Sequence, residues 1–178
     1  MDQEQQGSNQ HEQYMRLALA EAAKSLEQGE FPVGCVLVLD NEVVGQGRRR
    51  NSEGIRSNEV DHAEVVTLAH LLKREPGIDC SRITAYCTME PCLMCYATLL
   101  LSGIRTFVWA YEDVMGGGTS ISLQQLSPLY RDMQVKLVPG VLRRESLEMF
   151  CRFFEQYSYW QDSLLAEYTL EQCRKEKI

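Results

Sequence analysis

The chain has 178 residues, 44% of them hydrophobic and 24% charged, with a formal net charge of −7. That length suits one compact domain with a sizeable core, and the balance excludes a disordered, collagen-like or coiled-coil class. The acidic charge argues against a general polyanion binder, because affinity for phosphate backbones comes largely from clustered Lys and Arg.

Residues 1–10 are polar and acidic, without the basic and apolar regions of a signal peptide, and no stretch approaches the roughly 20 apolar residues of a membrane span. The expectation is a cytoplasmic protein, away from any membrane, with residues 1–10 as a flexible lead-in. Seven cysteines, an odd count without compact secreted-scaffold spacing, point to a reducing compartment with thiols free or on metal rather than a disulfide framework.

Met15, Ala18, Leu19, Ala22, Ala23 and Leu26 recur at helical spacing and predict an amphipathic first helix, opened by a capping box at Asn9 and Glu12 and ended by Gly29 and Pro32. Residues 33–39 are β-rich with apolar side chains at both parities. After Asp40 and Asn41 a second run centres on Val43 and Val44, so the two form a hairpin. Residues 45–61 are polar and carry Gly45, Gly47 and Gly54, which reads as a long loop. It holds one dense basic run, Arg48, Arg49 and Arg50, joined more loosely by Arg56; a solvated loop is the favoured reading and phosphate contact the alternative.

A helix is predicted over 61–72, a strand over 83–88, and a helix over 92–102 with Gly103 just past its end. Strands follow over 106–110 and 135–138, on either side of a loop carrying Gly116, Gly117 and Gly118. From Arg144 onward, Leu147, Phe150, Cys151, Phe154, Tyr157, Leu164, Leu165 and Tyr168 predict one long or broken C-terminal helix, with about residues 155–178 as an extension. Helices alternating with strands indicate an α/β sandwich around a mixed sheet of about five strands, in a single domain over 1–178.

Two clusters carry chemistry: His62-Ala63-Glu64, and Pro91-Cys92-Leu93-Met94-Cys95. One imidazole and two thiolates supply three ligands for a tetrahedral Zn2+, one per chain, and leave the fourth position open for water, as in catalytic zinc sites. Both clusters fall at predicted helix N-termini, where the macrodipole and free N–H groups favour thiolate. Glu64, two positions beyond His62, does not share its helix face. A general acid/base role suits it better, moving a proton from water to the ring nitrogen and the departing ammonia. A closed structural site would need a fourth ligand from Cys87, Cys80, His70 or His11, and Cys87 reads as a buried strand residue.

His-x-Glu followed by Pro-Cys-x-x-Cys is the signature of zinc base deaminases. Over about residues 11–154 the chain resembles the cytidine and deoxycytidylate deaminase superfamily, within it the branch of bacterial tRNA adenosine deaminases and guanine or nucleoside deaminases. The resemblance rests on these motifs, on Phe31-Pro32-Val33-Gly34, the Gly45-Gln46-Gly47 turn, Thr88-Met89-Glu90-Pro91 and the loop over 116–120. It implies a three-layer α/β/α fold with a five-stranded sheet, a homodimer, and a base pocket beside the zinc to which Phe31, Ala63 and Pro91 contribute. It assigns to Asn51 the hydrogen bond to the base made by an Asn ahead of His-x-Glu. Glu112, with Asp113 beside it, takes the position of an Asp that follows the fourth strand. The chain departs from the family in placing Val60-Asp61 directly before His62 and Tyr96 after the second cysteine.

The acidic charge favours a small substrate, a purine base or its nucleoside. The alternative is adenosine at the tRNA wobble position, and a further one is a non-catalytic, zinc-stabilised interaction subunit. Tyr157, Tyr159, Trp160 and Tyr168 are expected to pack the C-terminal helix on the core or on a dimer mate rather than to form a lid.

Overall fold

A computed structural model describes residues 2–52 and 57–178, with side chains from residue 7 onward. The first helix, α1 (Asp2–Glu27), buries Met15, Ala18, Leu19, Ala22 and Leu26, the face that the spacing predicts. It begins well before Asn9, so the predicted capping box is not its start. Residues 2–8 are rich in Gln and Glu and hold neither Pro nor a β-branched residue, and the helix propagates through them.

β1 (Gly34–Leu39) and β2 (Glu42–Arg48) form the hairpin, turning at Asp40 and Asn41, whose φ of 50° and 68° is the left-handed pair of a type I′ turn. β1 lies within the sheet and is buried on both faces, hence its apolar residues at both parities. β2 reaches further than predicted: residues 45–48 belong to the strand and not to a loop. Its glycines mark close packing. A Cβ on Gly47 would lie 2.5 Å from Thr67 Oγ1, and one on Gly45 3.1 Å from Thr67 Cγ2, so α2 (Ala63–Arg74) sits directly on the strand. Gly54 and Arg56 of the predicted loop lie outside the described residues.

With β3 (Ile83–Met89), α3 (Leu93–Leu101), β4 (Thr106–Tyr111), the short α4 (Pro128–Arg131) and β5 (Lys136–Val138), the sheet runs in the order β2-β1-β3-β4-β5. β1 pairs antiparallel with β2 and β3, and the β3–β4 and β4–β5 pairs are parallel, so the sheet is mixed. Leu37, Ala85, Cys87 and Phe107 meet Leu68, Leu71 and Leu99 of α2 and α3 on one face. Val36, Val38, Tyr86 and Val108 meet Tyr14, Met15 and Ala18 of α1 on the other, where α5 (Arg143–Gln156) also packs. The result is the three-layer α/β/α sandwich.

The C-terminal run is a broken helix, α5 and then α6 (Leu164–Glu176), interrupted over 157–163. Cys151 and Cys173 form a disulfide across the two, with Cα atoms 6.1 Å apart. This corrects the expectation that the thiols are all free or on metal. The break lets α6 fold back on α5 and joins cysteines 22 residues apart, a pairing that a cysteine count does not reveal. The other five are free. Among the described residues no helix is long and apolar enough to cross a membrane.

Candidate active site

His62 is the N-cap of α2 and Cys92 the N-cap of α3, both in extended backbone, with Cys95 in the first turn of α3. The two helices pack on the same sheet face, so their starting ends meet. The glycine loop clamps the cysteine turn: Gly118 N donates to the Pro91 carbonyl at 2.9 Å, and Leu93 N to that of Gly116 at 3.2 Å. A Cβ on Gly118 would stand 2.7 Å from Leu93 Cα, which only glycine avoids.

Nδ1 of His62 lies 3.4 Å from the Sγ of both Cys92 and Cys95, and the three ligand atoms fall within 4.8 Å of one another. Sulfur and nitrogen on a tetrahedral zinc stand about 3.5 Å apart at bond lengths of ~2.3 and ~2.0 Å, so donor set and spacing both fit that ion. Among the described residues no fourth side chain joins the cluster. Cys87 is buried opposite Cys35 in the β1–β3 pair, His11 Nδ1 lies 3.0 Å from the Tyr86 hydroxyl, and His70 is exposed. The other ring nitrogen of His62 faces Glu59 at 3.9 Å, a carboxylate placed to orient the imidazole.

The neighbouring Cys95, and then His62, draw the Cys92 thiol down to about 4 against its burial. Cys95, whose thiol donates to Glu64 Oε2, is pushed upward by Cys92, by burial and by Glu64. His62 is raised: burial works against its charge, but the Cys92 contact and Glu64 prevail. Glu64 is fully enclosed, its Oε2 3.4 Å from Cys95 Sγ, and burial raises its carboxyl while His62 opposes the rise.

These groups open into a cavity of about 150 Å3, walled by apolar Phe31, Val33, Met89 and Leu165. An apolar space of ~150 Å3 accommodates a benzene ring, so one flat heterocycle is the natural occupant. Of the pocket residues expected from the resemblance, Phe31, Ala63 and Asp113 line it. Burial raises the Asp113 carboxyl, and its Oδ1 accepts from Met115 N and Gly116 N at 3.0 and 2.8 Å.

Three others stand outside its wall. Asn51, at φ 57°, donates from Nδ2 to Asp61 Oδ2 at 2.5 Å. Glu112 accepts from Arg143 Nε and Nη2 at 2.8 and 2.6 Å and from the Tyr168 hydroxyl at 2.7 Å, which commits it to the α5–α6 packing. The Pro91 carbonyl accepts from Gly118 N.

The arginine run is divided between the strand, the pocket wall and the surface. Arg48 Nη1 pairs with Glu21 at 3.2 Å, Arg49 is buried in the pocket wall, and only Arg50 is exposed. Sequence reasoning also missed Glu59 and Glu90 as lining residues. Glu90 was legible as part of Thr88-Met89-Glu90-Pro91, and it accepts from Thr119 and from Asp113 N. Tyr159 packs edge-on against Phe31 and Phe153, as the packing reading expects, and Tyr159 and Trp160 both line the cavity.

A mixed sheet carrying a His-Cys-Cys centre beside a buried carboxylate defines a zinc-type hydrolase site. Residues 8–111 match the model of the cytidine and deoxycytidylate deaminase zinc-binding region, and the chain belongs to that family of hydrolytic deaminases, whose cofactor is zinc. It is 32% identical over 147 residues to the tRNA-specific adenosine deaminase of Bacillus subtilis, spanning 83% of this chain and 90% of that one. It is 34% identical to tRNA-specific adenosine deaminase 2 of Danio rerio, over 80% and 70% of the two chains. Among solved structures it superposes with a TM-score of 0.65 at 27% identity, over 77% of this chain and 98% of the other, on a tRNA:A34 deaminase studied for A-to-I editing at the wobble position. The guanine deaminase of Nitrosomonas europaea shares the fold, at a TM-score of 0.62 and 14% identity over 80% and 83%.

Proposed function

We propose that the protein hydrolytically deaminates adenosine within RNA of the tRNA class, replacing the exocyclic amino group by oxygen and releasing ammonia. The observation that carries the chemistry is the convergence of His62, Cys92 and Cys95 on one point beside the buried Glu64. The substrate class rests on the tRNA-specific adenosine deaminases to which most of the chain is similar.

His62 Nδ1 and the sulfurs of Cys92 and Cys95 would hold the metal. When bound, zinc lowers the pKa of a coordinated water towards about 7. Glu64 takes a proton at its carboxylate from the attacking water and passes it to the ring nitrogen, then takes the remaining hydroxyl proton and passes it to the amine as the C–N bond breaks and ammonia leaves, a general acid/base role. Phe31, Val33 and Met89 exclude bulk water and hold the flat ring. Asp113 and Glu90 fix the loop over 113–119 that closes one side.

A second reading, a free purine base or nucleoside, is favoured by one observation. Of the three arginines expected to meet phosphate, Arg48 and Arg49 are engaged within the fold and Arg50 alone is exposed, and Tyr159 and Trp160 line the cavity. The homodimer and the cytoplasmic location expected from the sequence belong to both readings, and the light-scattering mass of the zinc-loaded chain tests the first. Ammonia release from zinc-loaded protein, given a tRNA anticodon hairpin, adenosine, adenine and guanine, decides the substrate. Reaction with the hairpin alone supports the RNA reading, reaction with free compounds alone overturns it, and reaction with none overturns both.

A further inference from the structure

We propose that Trp160 is a stacking platform for the unpaired nucleobase next to the reacting adenosine in an RNA strand; the proposal rests on the RNA reading above. Trp160 lines the cavity and keeps 44% of its surface exposed. It stands in the 157–163 connection at φ 58°, a left-handed backbone that a bulky residue adopts only at a cost. The connection is pinned. Ser163 N donates to the Trp160 carbonyl at 3.0 Å, and Gln161 N to that of Ser158 at 3.1 Å. The neighbouring Tyr159 donates its hydroxyl to Glu59 Oε1 at 2.9 Å and accepts from Arg49 Nη2 at 3.3 Å. The Tyr159 ring packs edge-on against Phe31, and the Trp160 indole lies tilted against Tyr159 with ring centroids 5.9 Å apart. A large aromatic side chain is thus held partly in water, at the rim, on a fixed support.

The cavity takes one flat ring, so a base drawn into it from a strand leaves its neighbours outside, at the rim. Arg49 is the only Lys or Arg among the described lining residues and is 3% exposed, whereas the Glu59 side chain is 60% exposed. That surround disfavours phosphate. Affinity for a strand at this rim then has to come from uncharged faces. The exposed apolar residues that line the cavity are Met115 and Trp160. Of the two, only the indole offers a π-face on which any base can stack. A free base or nucleoside has no neighbour to place there, so the platform distinguishes a strand from the single compound.

The test uses full-length, zinc-loaded protein carrying Glu64→Gln, so that ligand is not consumed. Calorimetry measures binding of adenosine and of a short RNA hairpin with an adenosine in its loop, intact or abasic at the nucleotide before or after that adenosine. One of the two abasic hairpins is expected to bind roughly five- to hundredfold more weakly than the intact one, the value of one base stacked on an aromatic ring. That penalty should vanish on adding Trp160→Leu and survive in part with Trp160→Phe. Trp160→Leu should also weaken the intact hairpin more than adenosine. Trp160 emission gives a second reading, since the other tryptophan, Trp109, is buried: the intact hairpin should quench it more than the weaker abasic one. Equal affinity for all three hairpins, no hairpin binding, an abasic penalty unchanged in Trp160→Leu, or an equal loss for hairpin and adenosine overturns the proposal. So does a lower light-scattering mass of the Trp160→Leu chain, which would make the indole a contact between copies. The hairpin comparison with Trp160 intact stands even where Trp160→Leu does not fold. Ammonia release from the intact hairpin by the unsubstituted chain is read in parallel. Release without an abasic penalty sinks the platform alone, and a penalty without release sinks the deaminase reading alone.

Discussion

The Sγ of Cys95 lies 3.4 Å from Oε2 of Glu64, which puts the most buried metal-ligand atom against the carboxylate. A base that serves water on the ion has to stand this near to it while remaining outside the ligand set. His62 and Glu64 achieve this from one helix turn: the first caps α2 and faces the sulfurs, and the second starts the turn and points into the protein.

Gly118→Ala is expected to weaken zinc binding more than it weakens the fold. The added methyl would press on the backbone of Leu93 and Cys92, shifting the turn that sets the two sulfurs. Competition with a chromophoric chelator should show a drop of about ten- to hundredfold in zinc affinity, the scale seen when groups supporting a metal site are disturbed. Unchanged affinity would mean that the glycine loop does not set the cysteine geometry.

Glu112 ties acid stability to the α5–α6 packing. Burial would raise its carboxyl, but the Arg143 and Tyr168 hydrogen bonds hold it below its ordinary 4.5. The unfolded chain therefore takes up this proton more readily. The stabilisation is complete above the ordinary value and fades as pH falls through the lower folded one. Glu112→Gln should cost about 1–2 kcal/mol at neutral pH and flatten the acid limb of a melting-temperature profile below about pH 4.5. A parallel downward shift at every pH would contradict it.

Reduction of the Cys151–Cys173 disulfide should lower stability by about 3 kcal/mol, the loop-closure value for a span of this order. The reading is a shift in the denaturant midpoint on adding reductant, absent from Cys173→Ser. Thiol titration of unfolded, zinc-free protein should count five free thiols before reduction and seven after.

The metal cluster was legible because coordination demands particular atoms at particular spacings, and His-x-Glu and Cys-x-x-Cys state those demands locally. The order of elements followed from periodicity for the same reason. Asn51 and Glu112 were placed by counting along loops, and each has a competing partner, Asp61 and Arg143, that no spacing reveals. Arg49 was hidden by its neighbours. Three adjacent arginines look like surface, and only tertiary contacts to Glu21 and Glu59 separate one that is exposed from two that are held. The disulfide and the Tyr159 wall depend likewise on α6 folding back, which the sequence permits without requiring.

The most direct trial is to measure zinc content and ammonia release together in the wild-type chain and in Glu64→Gln. The expected result is about one zinc per chain in both, with deamination falling by roughly a hundred- to ten-thousandfold in the variant. Loss of zinc with Glu64→Gln, or full activity without that carboxylate, would contradict the account.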